Sequence, residues 1–414
     1  MNSKQDKTKA LVMVQTLASG GAERSATNVA NHLDVDEVKL VLYENKIEYE
    51  CDKEKIILNS PAGSNYFDKL WKFAKRVWRL RKIKKREKPD YTISFADGPS
   101  LVNILSKRDD KVIISIQNTK SQIQDEDPFA RKIYHFLYKK LYKKADVITG
   151  VAKGVVKDLA ENFNVPKDKT EVIYNSVDLE LIQDKSQQPL SEEKQEIFDN
   201  STIINVGRFT QQKGQWHLIR AFKKVKDQNP DAKLVFLGKG GLQNYLVDLA
   251  KNLDLQVYCK GGQNSLKPES QDVFFLGFVD NPFKYLANSD IFAFPSLWEG
   301  FSLVAIEAAA CKLPIIAADC NSGPRELLAP ETDIDYKTEE VEFAEYGIII
   351  PVGDGKHYNA DVPLTEREKM WHRVLNKILQ KDQLREKYSK LAQRRAKDFS
   401  IESVIKDWHK VLNE

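Results

Sequence analysis

Short apolar runs alternate with helix-patterned stretches along this chain, and the alternation occurs twice. In the first half the runs are 10–14 (ALVMV), 39–43 (KLVLY), 91–95 (YTISF), 112–116 (VIISI) and 146–149 (DVIT). In the second half they are 202–206 (TIINV), 233–237 (KLVFL), 273–276 (VFFL), 291–294 (IFAF) and 314–318 (PIIAA). Runs of this length that lack polar alternation suit strands covered on both faces. Strands separated by helical patterns predict an α/β fold built on doubly wound parallel sheets. A charged stretch at 179–200 reads as a linker plus a short helix between the two halves. The expected architecture is therefore two Rossmann-like domains, 1–178 and 179–398, facing across a cleft. The acidic segment 333–345 reads as a loop.

Composition narrows the function classes. With 414 residues there is enough chain for two cores, and 42% hydrophobic with 30% charged residues is ordinary for a globular protein. None of Cys51, Cys259, Cys311 and Cys320 stands at CxxC spacing, so neither a zinc site nor a disulfide framework is indicated and a reducing compartment is expected. The N-terminal apolar run is too short for a leader peptide, and no run reaches membrane-spanning length. Net charge is +4 but uneven: residues 1–178 hold 33 Lys and Arg against 25 Asp and Glu, while 179–414 hold 31 against 35. The basic half points to an anionic partner there.

The most informative motif is 295–307, PSLWEGFSLVAIE. It follows the 291–294 run, and the helix pattern begins at Phe301 and stops at Pro314. Glu299 and Gly300 thus fall in a loop at the carboxyl end of a strand, where open α/β sheets bind ligands. The free N–H groups of Ser302, Leu303 and Val304 suit an anion, with the helix dipole behind them. Glu299 and Glu307 flank that point, an arrangement suited to a sugar joined to a phosphate. Two glutamates alone would equally fit a surface carboxylate and a salt-bridged helical one. In 207–214 (GRFTQQKG), Gly207 permits a tight exit from its strand, and Arg208 and Lys213 place two cations on one strand-to-helix loop. Together they can hold a diphosphate, although solvated surface cations would look the same. Gly238 opens a Gly-rich turn after the next strand. Neither that turn nor Ser19-Gly20-Gly21 fits GxGxxG, so a dinucleotide fingerprint is absent.

In this order the segments resemble glycosyltransferase family four, the retaining enzymes of the GT-B fold, along nearly the whole chain. Glu299 and Glu307 match its E-x7-E pattern, and Gly207, Arg208, Lys213 and Gly214 its G-R-x4-K-G segment. Gly20 and Gly21 with Ala22-Glu23-Arg24 are similar to its N-terminal turn, Asn175 to Asp178 to its hinge, and Asn321 to Leu327 to its late Gly-rich turn. The resemblance implies that Arg208 and Lys213 bind the donor diphosphate. Gly238, Gly300 and Phe301 would line the donor site. Glu299 would hold sugar hydroxyls, the 302–304 amides the sugar and phosphate, and Glu307 the ribose. Gly20 and Gly21 would approach the phosphates from the first domain. Glu299, Arg208 and Lys213 are the candidate catalytic residues, and no metal or other cofactor is implied. The resemblance also implies that a last helix, about 399–414, packs back on the first domain. One departure stands out: where many family members carry a histidine near the reacting sugar, this chain has Gln117 and Asn118. They are the acceptor-side candidates, and glutamine cannot act as a base.

Residues 67–88 (FDKLWKFAKRVWRLRKIKKREK) carry eleven Lys and Arg between 69 and 88, opposed by Asp68 and Glu87. Phe67, Leu70, Trp71, Ala74, Val77 and Trp78 recur at helical spacing, and this face is expected to pack on the sheet. Residues 131–144 add six cations beside tyrosines. Such charge suits the anionic inner face of a plasma membrane, and no nucleic-acid motif accompanies it. The expectation is a cytoplasmic, membrane-peripheral retaining transferase of cell-surface polysaccharide or lipopolysaccharide synthesis. It would move a hexose or N-acetylhexosamine from a nucleotide-diphosphate sugar, uridine foremost, to a glycan or lipid-linked glycan. A nucleotide-sugar epimerase or hydrolase, or a non-catalytic binding module, remains open on sequence alone.

Overall fold

The computed structural model describes residues 7–18, 20–48, 51–61, 63, 66–122, 128–262 and 265–413. Two compact units emerge: Met1–Ser176 with Ile401–Glu414, and Val177–Ser400. Each is a Rossmann-like α/β unit. Among the described residues, no helix is long and apolar enough to cross a membrane.

The first unit contains β1 (Lys9–Val14), β2 (Glu37–Leu42), β3 (Glu54–Ile57), β4 (Tyr91–Phe95), β5 (Lys111–Ile116), β6 (Val147–Gly150) and β7 (Thr170–Val172). They form a parallel sheet in the order β3-β2-β1-β4-β5-β6-β7. Successive β1 residues point to opposite faces. Ala10, Val12 and Val14 join a core completed by helix Gly21–His32 and by Val404, Trp408, Val411 and Leu412 of helix Ile401–Asn413. Leu11 and Met13 face the other way, under Leu80 and Ile83 of helix Tyr66–Glu87 and Val102 of helix Asp97–Leu105.

The second unit contains β8 (Thr202–Val206), β9 (Lys233–Leu237), β10 (Val257–Cys259), β11 (Val273–Gly277), β12 (Ile291–Phe294), β13 (Ile315–Ala318), β14 (Glu342–Phe343) and β15 (Ile348–Ile350). Their order is β10-β11-β9-β8-β12-β13-β15-β14, parallel except for the β14–β15 pair. One core of this unit packs Trp216, Phe222, Phe236 and Phe275 with Trp371 and Leu375 of helix Glu366–Gln380. That helix begins at a capping box in which Thr365 and Glu368 satisfy each other's backbone donors.

Several expectations need correction. Residues 179–200 hold two helices, Leu179–Ser186 and Glu192–Phe198, the first capped by Asp178. Within 333–345 lies the edge strand β14, where Glu342 pairs with the buried Arg325. The helix after β12 starts at Leu303 rather than Phe301, leaving Ser302 as its N-cap.

The basic helix, Tyr66–Glu87, is turned from the expected orientation. Phe67, Leu70, Trp71 and Trp78 stand 83%, 59%, 60% and 56% exposed, so the Trp71–Trp78 face does not pack on the sheet. The inward stripe is Phe73, Val77, Leu80 and Ile83, which also recurs at helical spacing. Nor are all the cations solvated. Lys84 is fully buried, donating to Asn103 Oδ1 at 2.7 Å and pairing with Asp110 at 2.7 Å. Arg76 donates to the Ser60 carbonyl at 2.6 Å and lies over the Tyr43 ring, and Arg79 binds the Leu58 carbonyl. These contacts tie the helix to the loop after β3, which explains part of the charge structurally.

Candidate active site

In the second unit the chain leaves β8 toward β9 on one side, while β12 pairs with β8 on the other. The loops after β8 and β12 therefore emerge side by side at a topological switch point, the place where open α/β sheets bind ligands. Both loops are held firmly. Phe209 plunges into the core, edge-on to Phe275 and Phe236 at 5.7 and 6.2 Å, and so anchors the turn between Arg208 and Lys213. Leu297 donates its backbone N–H to the Gln212 carbonyl at 2.8 Å, and Gln212 Nε2 donates to the Trp298 carbonyl at 2.9 Å. Gly214 sits at φ +60°, where a Cβ would lie 2.4 Å from the Pro295 carbonyl oxygen. No other residue type fits both the backbone angle and that approach.

On this frame Lys213 reaches across to Glu299. Its Nζ lies 2.6 Å from Glu299 Oε1, with the side chains 13% and 6% exposed. The ammonium also lies 5.2 Å from the centre of the Phe294 ring. Two residues assigned separate ligand contacts on sequence grounds are thus ion-paired with each other here. Arg208, by contrast, is exposed, and its guanidinium has no ion-pair or hydrogen-bond partner among the described residues. Cys320 is buried beside Glu299; burial, reinforced by that carboxylate, pushes its thiol pKa well up.

Helix Leu303–Ala310 begins at Ser302, which makes no side-chain cap bond. The amides of its first turn have no intrahelical acceptor. Glu307 is buried on this helix. Gly300 and Phe301 are buried under the turn at Gly323, where a Cβ would lie 2.5 Å from the Gly300 carbonyl oxygen. That turn is fixed by Arg325, which grips Asp319 through two hydrogen bonds of 3.0 and 2.7 Å. Gly238, at the end of β9, abuts Gly207: a Cβ there would stand 2.0 Å from its carbonyl oxygen. Gly207, Arg208, Lys213, Gly238, Glu299 and Gly300 therefore lie in the loops at the carboxyl ends of β8, β9 and β12, and Glu307 lies in the helix that follows β12. Among the described residues, no group of three or more His, Cys, Asp or Glu is placed to hold a metal ion.

The first unit carries the remaining candidates. Gly20 caps the helix that begins with Gly21, and a Cβ on Gly20 would collide with the Glu23 carboxylate at 2.1 Å. Ser19 lies outside the described residues. Ser25 of that helix donates to Asn175 at 2.7 Å and Asn28 to the Ser176 carbonyl at 2.8 Å, joining the N-terminal turn to the hinge-like segment. Gln117 and Asn118 are half-buried after β5, with Gln117 Nε2 donating to Ser115 Oγ at 2.9 Å.

Beside them is a cluster that sequence reasoning missed. Asp97 takes Lys120 Nζ at 2.9 Å on one oxygen and the Tyr142 hydroxyl at 2.9 Å on the other. Burial and the Asp97 charge drive the Tyr142 pKa far up, so its proton stays on. Asp97 follows Ala96, which holds φ +69°, an uncommon angle for a residue other than glycine. No local motif marks this group, since three elements far apart in sequence supply it.

Comparison with known proteins agrees with this geometry. Residues 19–181 match the family described as Glycosyltransferase Family 4, and residues 186–335 match Glycosyl transferases group 1. An uncharacterized glycosyltransferase of Methanocaldococcus jannaschii is 36% identical over 88% of this chain and 89% of its own. The N-acetylgalactosamine-N,N'-diacetylbacillosaminyl-diphospho-undecaprenol 4-alpha-N-acetylgalactosaminyltransferase of Campylobacter jejuni is 30% identical over 97% of this chain and 98% of its own. Among solved structures, Anabaena HepE in complex with UDP and glucose superposes with a TM-score of 0.71 at 17% identity, covering 99% of this chain and 100% of that one. The fold is that of the GT-B enzymes, two Rossmann-like units in one chain. The chain belongs to the family 4, group 1 glycosyltransferases.

Proposed function

We propose that this glycosyltransferase moves an N-acetylhexosamine or hexose from a uridine diphosphate sugar to a lipid-linked glycan, with retention of anomeric configuration, at the inner face of the plasma membrane. In this reading residues 179–398 take the donor and residues 1–178, with the returning last helix, take the acceptor. The observation that carries it is the Lys213–Glu299 pair at the β8/β12 switch point, beside the uncommitted Arg208. Arg208 and Lys213 neutralise the diphosphate, and the amides at 302–304 add helix-terminal hydrogen bonds to it. Glu299, released as Lys213 turns to phosphate, accepts from sugar hydroxyls, and Glu307 from the ribose. The bond from the anomeric carbon to the diphosphate oxygen breaks while the acceptor hydroxyl attacks from the same face. The leaving phosphate oxygen takes the acceptor's proton. Positive groups aimed at the growing phosphate charge supply the main stabilisation. Gln117 and Asn118 are acceptor contacts rather than bases.

The activity for which the Campylobacter relative is named supports an N-acetylhexosamine donor and a diphospho-polyprenol acceptor. The UDP and glucose bound to HepE support a uridine donor. The test is a panel of UDP- and GDP-sugars with a short-chain polyprenyl-diphosphate glycan. Transfer from a UDP-sugar, with retained anomeric configuration by NMR, is expected. Stoichiometric nucleotide release without a glycosylated product would reject transfer and favour a hydrolase.

A further inference from the structure

After β15 the chain runs through residues 351–365 without helix or strand, as a strap along helix Gln215–Gln228. The strap hangs by its backbone carbonyls. Arg220 Nη2 donates to those of Val362 and Pro363 at 3.0 and 2.9 Å, and Trp216 Nε1 to that of Lys356 at 2.8 Å. Gly355 reaches the candidate active site: its carbonyl accepts from Gln211 Nε2 at 2.6 Å, and a Cβ on it would stand 3.1 Å from Leu297. The strap therefore lies against both the turn that bears Lys213 and the loop that bears Glu299.

Next to Gly355 stands a contact that depends on a proton. The buried His217 ring packs on Gly353, where a Cβ would lie 2.8 Å from its Nε2. Its Nδ1 lies 2.9 Å from Glu368 Oε1. Its Nε2 faces Asp354 Oδ1 at 3.9 Å and has no hydrogen-bond partner among the described residues. A neutral imidazole carries one N–H. Either neutral tautomer thus sets a lone pair against a carboxylate, and only the cation can donate to both. Arg220, which holds Glu368 at 2.9 Å, and the N-terminal end of the helix oppose a second proton on the ring. Asp354 draws it, its other hydrogen bonds coming from the Tyr358 hydroxyl and the Lys356 N–H. His357, also on the strap, packs on Trp216 and stacks on Tyr245 of helix Gln243–Asn252.

We propose that His217 and Asp354 are positioning residues for the donor: a proton on His217 Nε2 draws Asp354 in, and Gly355 and Gln211 pass that hold to the turn carrying Lys213. This rests on the donor assignment made above and adds the groups that steady it. A turn already held loses less freedom when it binds. Donor affinity is therefore highest with His217 charged and falls as pH rises through its titration, and by reciprocity bound donor favours the charged ring.

The test uses the full chain with UDP-N-acetylgalactosamine, whose doubly esterified diphosphate gains no proton near neutrality. Its affinity by calorimetry is expected to fall about fivefold from about pH 6 to about pH 8, either side of the usual histidine value. Ring-nitrogen chemical shifts should show Nδ1 of His217 protonated throughout and Nε2 losing its proton over the same interval. Asp354→Asn can donate to a neutral Nε2, so it should bind at the wild-type low-pH affinity at every pH, a rescue that a merely structural role would not show. His217→Gln should be flat at the weaker value. In Gln211→Leu the ring should still titrate while donor affinity no longer follows it. Amide exchange at Lys213, whose N–H donates to the Thr210 carbonyl at 3.1 Å, reads the hold without donor and should quicken with pH beyond its intrinsic rate. Wild-type affinity that ignores pH, a His217 ring that keeps one neutral tautomer throughout, or wild-type pH dependence in Asp354→Asn would each overturn the inference. Lys213 protection that follows pH, with no UDP-sugar bound at any pH, would remove the donor reading alone.

Discussion

Replacing Glu299 by Gln separates nucleotide binding from transfer. In the structure the Lys213 ammonium is held by Glu299 at 2.6 Å in a largely buried pair. An incoming diphosphate must compete with that carboxylate for the same cation. A hydrogen bond to a charged group is worth about 1.5–3 kcal/mol and one to a neutral group about 1 kcal/mol. Glu299→Gln lowers the rival's hold by roughly 1 kcal/mol, so UDP should bind about fivefold more tightly. Transfer should nevertheless fall by roughly thirtyfold, as about 2 kcal/mol of carboxylate contact to the sugar is lost in the transition state. Folding should be spared, because the freed ammonium still touches solvent. Lys213→Gln is the control: it weakens UDP, slows transfer and removes the ion pair of a buried carboxylate at a stability cost of up to about 3 kcal/mol. Calorimetric titration with UDP and initial rates with the donor read both effects. If Glu299→Gln weakens UDP as much as Lys213→Gln does, the competition is wrong and Glu299 serves the nucleotide directly.

Three further outcomes are expected. Arg208→Ala should lower the specificity constant by roughly ten- to a hundredfold through loss of about 1.5–3 kcal/mol, with an unchanged melting curve; wild-type kinetics would remove its diphosphate role. Transfer should proceed in EDTA, because Arg208, Lys213 and a helix terminus already oppose the phosphate charge; a strict magnesium or manganese requirement would reject this. Burial lowers the Lys84 pKa from 10.5 to about 8, partly offset by Asp110. Between those two values the unfolded chain keeps a proton that the folded chain releases, so this residue's contribution to stability rises with pH across that window and is least favourable below it. Lys84→Met strands Asp110 and should cost about 3 kcal/mol at neutral pH. In urea titrations its deficit relative to wild type should grow from about pH 8 to 10.5 by this linkage, and a pH-independent gap would contradict it.

The central strands were legible because parallel strands buried on both faces leave unbroken apolar runs, as in β8, β9 and β12. The edge strands were not: β3 (EKII), β7 (TEV) and β14 (EF) are short and partly exposed, so their composition resembles loops. The loops bearing Arg208 and Glu299 could be found from strand ends and helix starts. That Lys213 and Glu299 touch could not, because it depends on β12 lying beside β8 rather than on either motif. The basic helix failed for another reason. Two stripes, Trp71–Trp78 and Phe73–Ile83, both recur at helical spacing, and periodicity does not say which faces inward. Asp97 and Lys120 meet because sheet order places the ends of β4 and β5 together, and Tyr142 reaches Asp97 from the turn before β6.

The helix Ile401–Asn413 contributes Val404, Trp408, Val411 and Leu412 to a core otherwise built from residues 10–173. Its isolated neighbours at Val177 and Ser400 pair as a bridge, so the chain departs from the first unit and returns to it at adjoining points. During synthesis the first sheet can assemble early, but Trp408, tilted against Phe95 at 5.7 Å, emerges only after the entire second unit. The nascent first unit must therefore wait with an uncovered apolar surface while more than two hundred residues are made. Contacts of such sequence separation slow folding and leave intermediates open to aggregation. The second unit, continuous from Val177 to Ser400, carries no such delay and can mature first although it is made second.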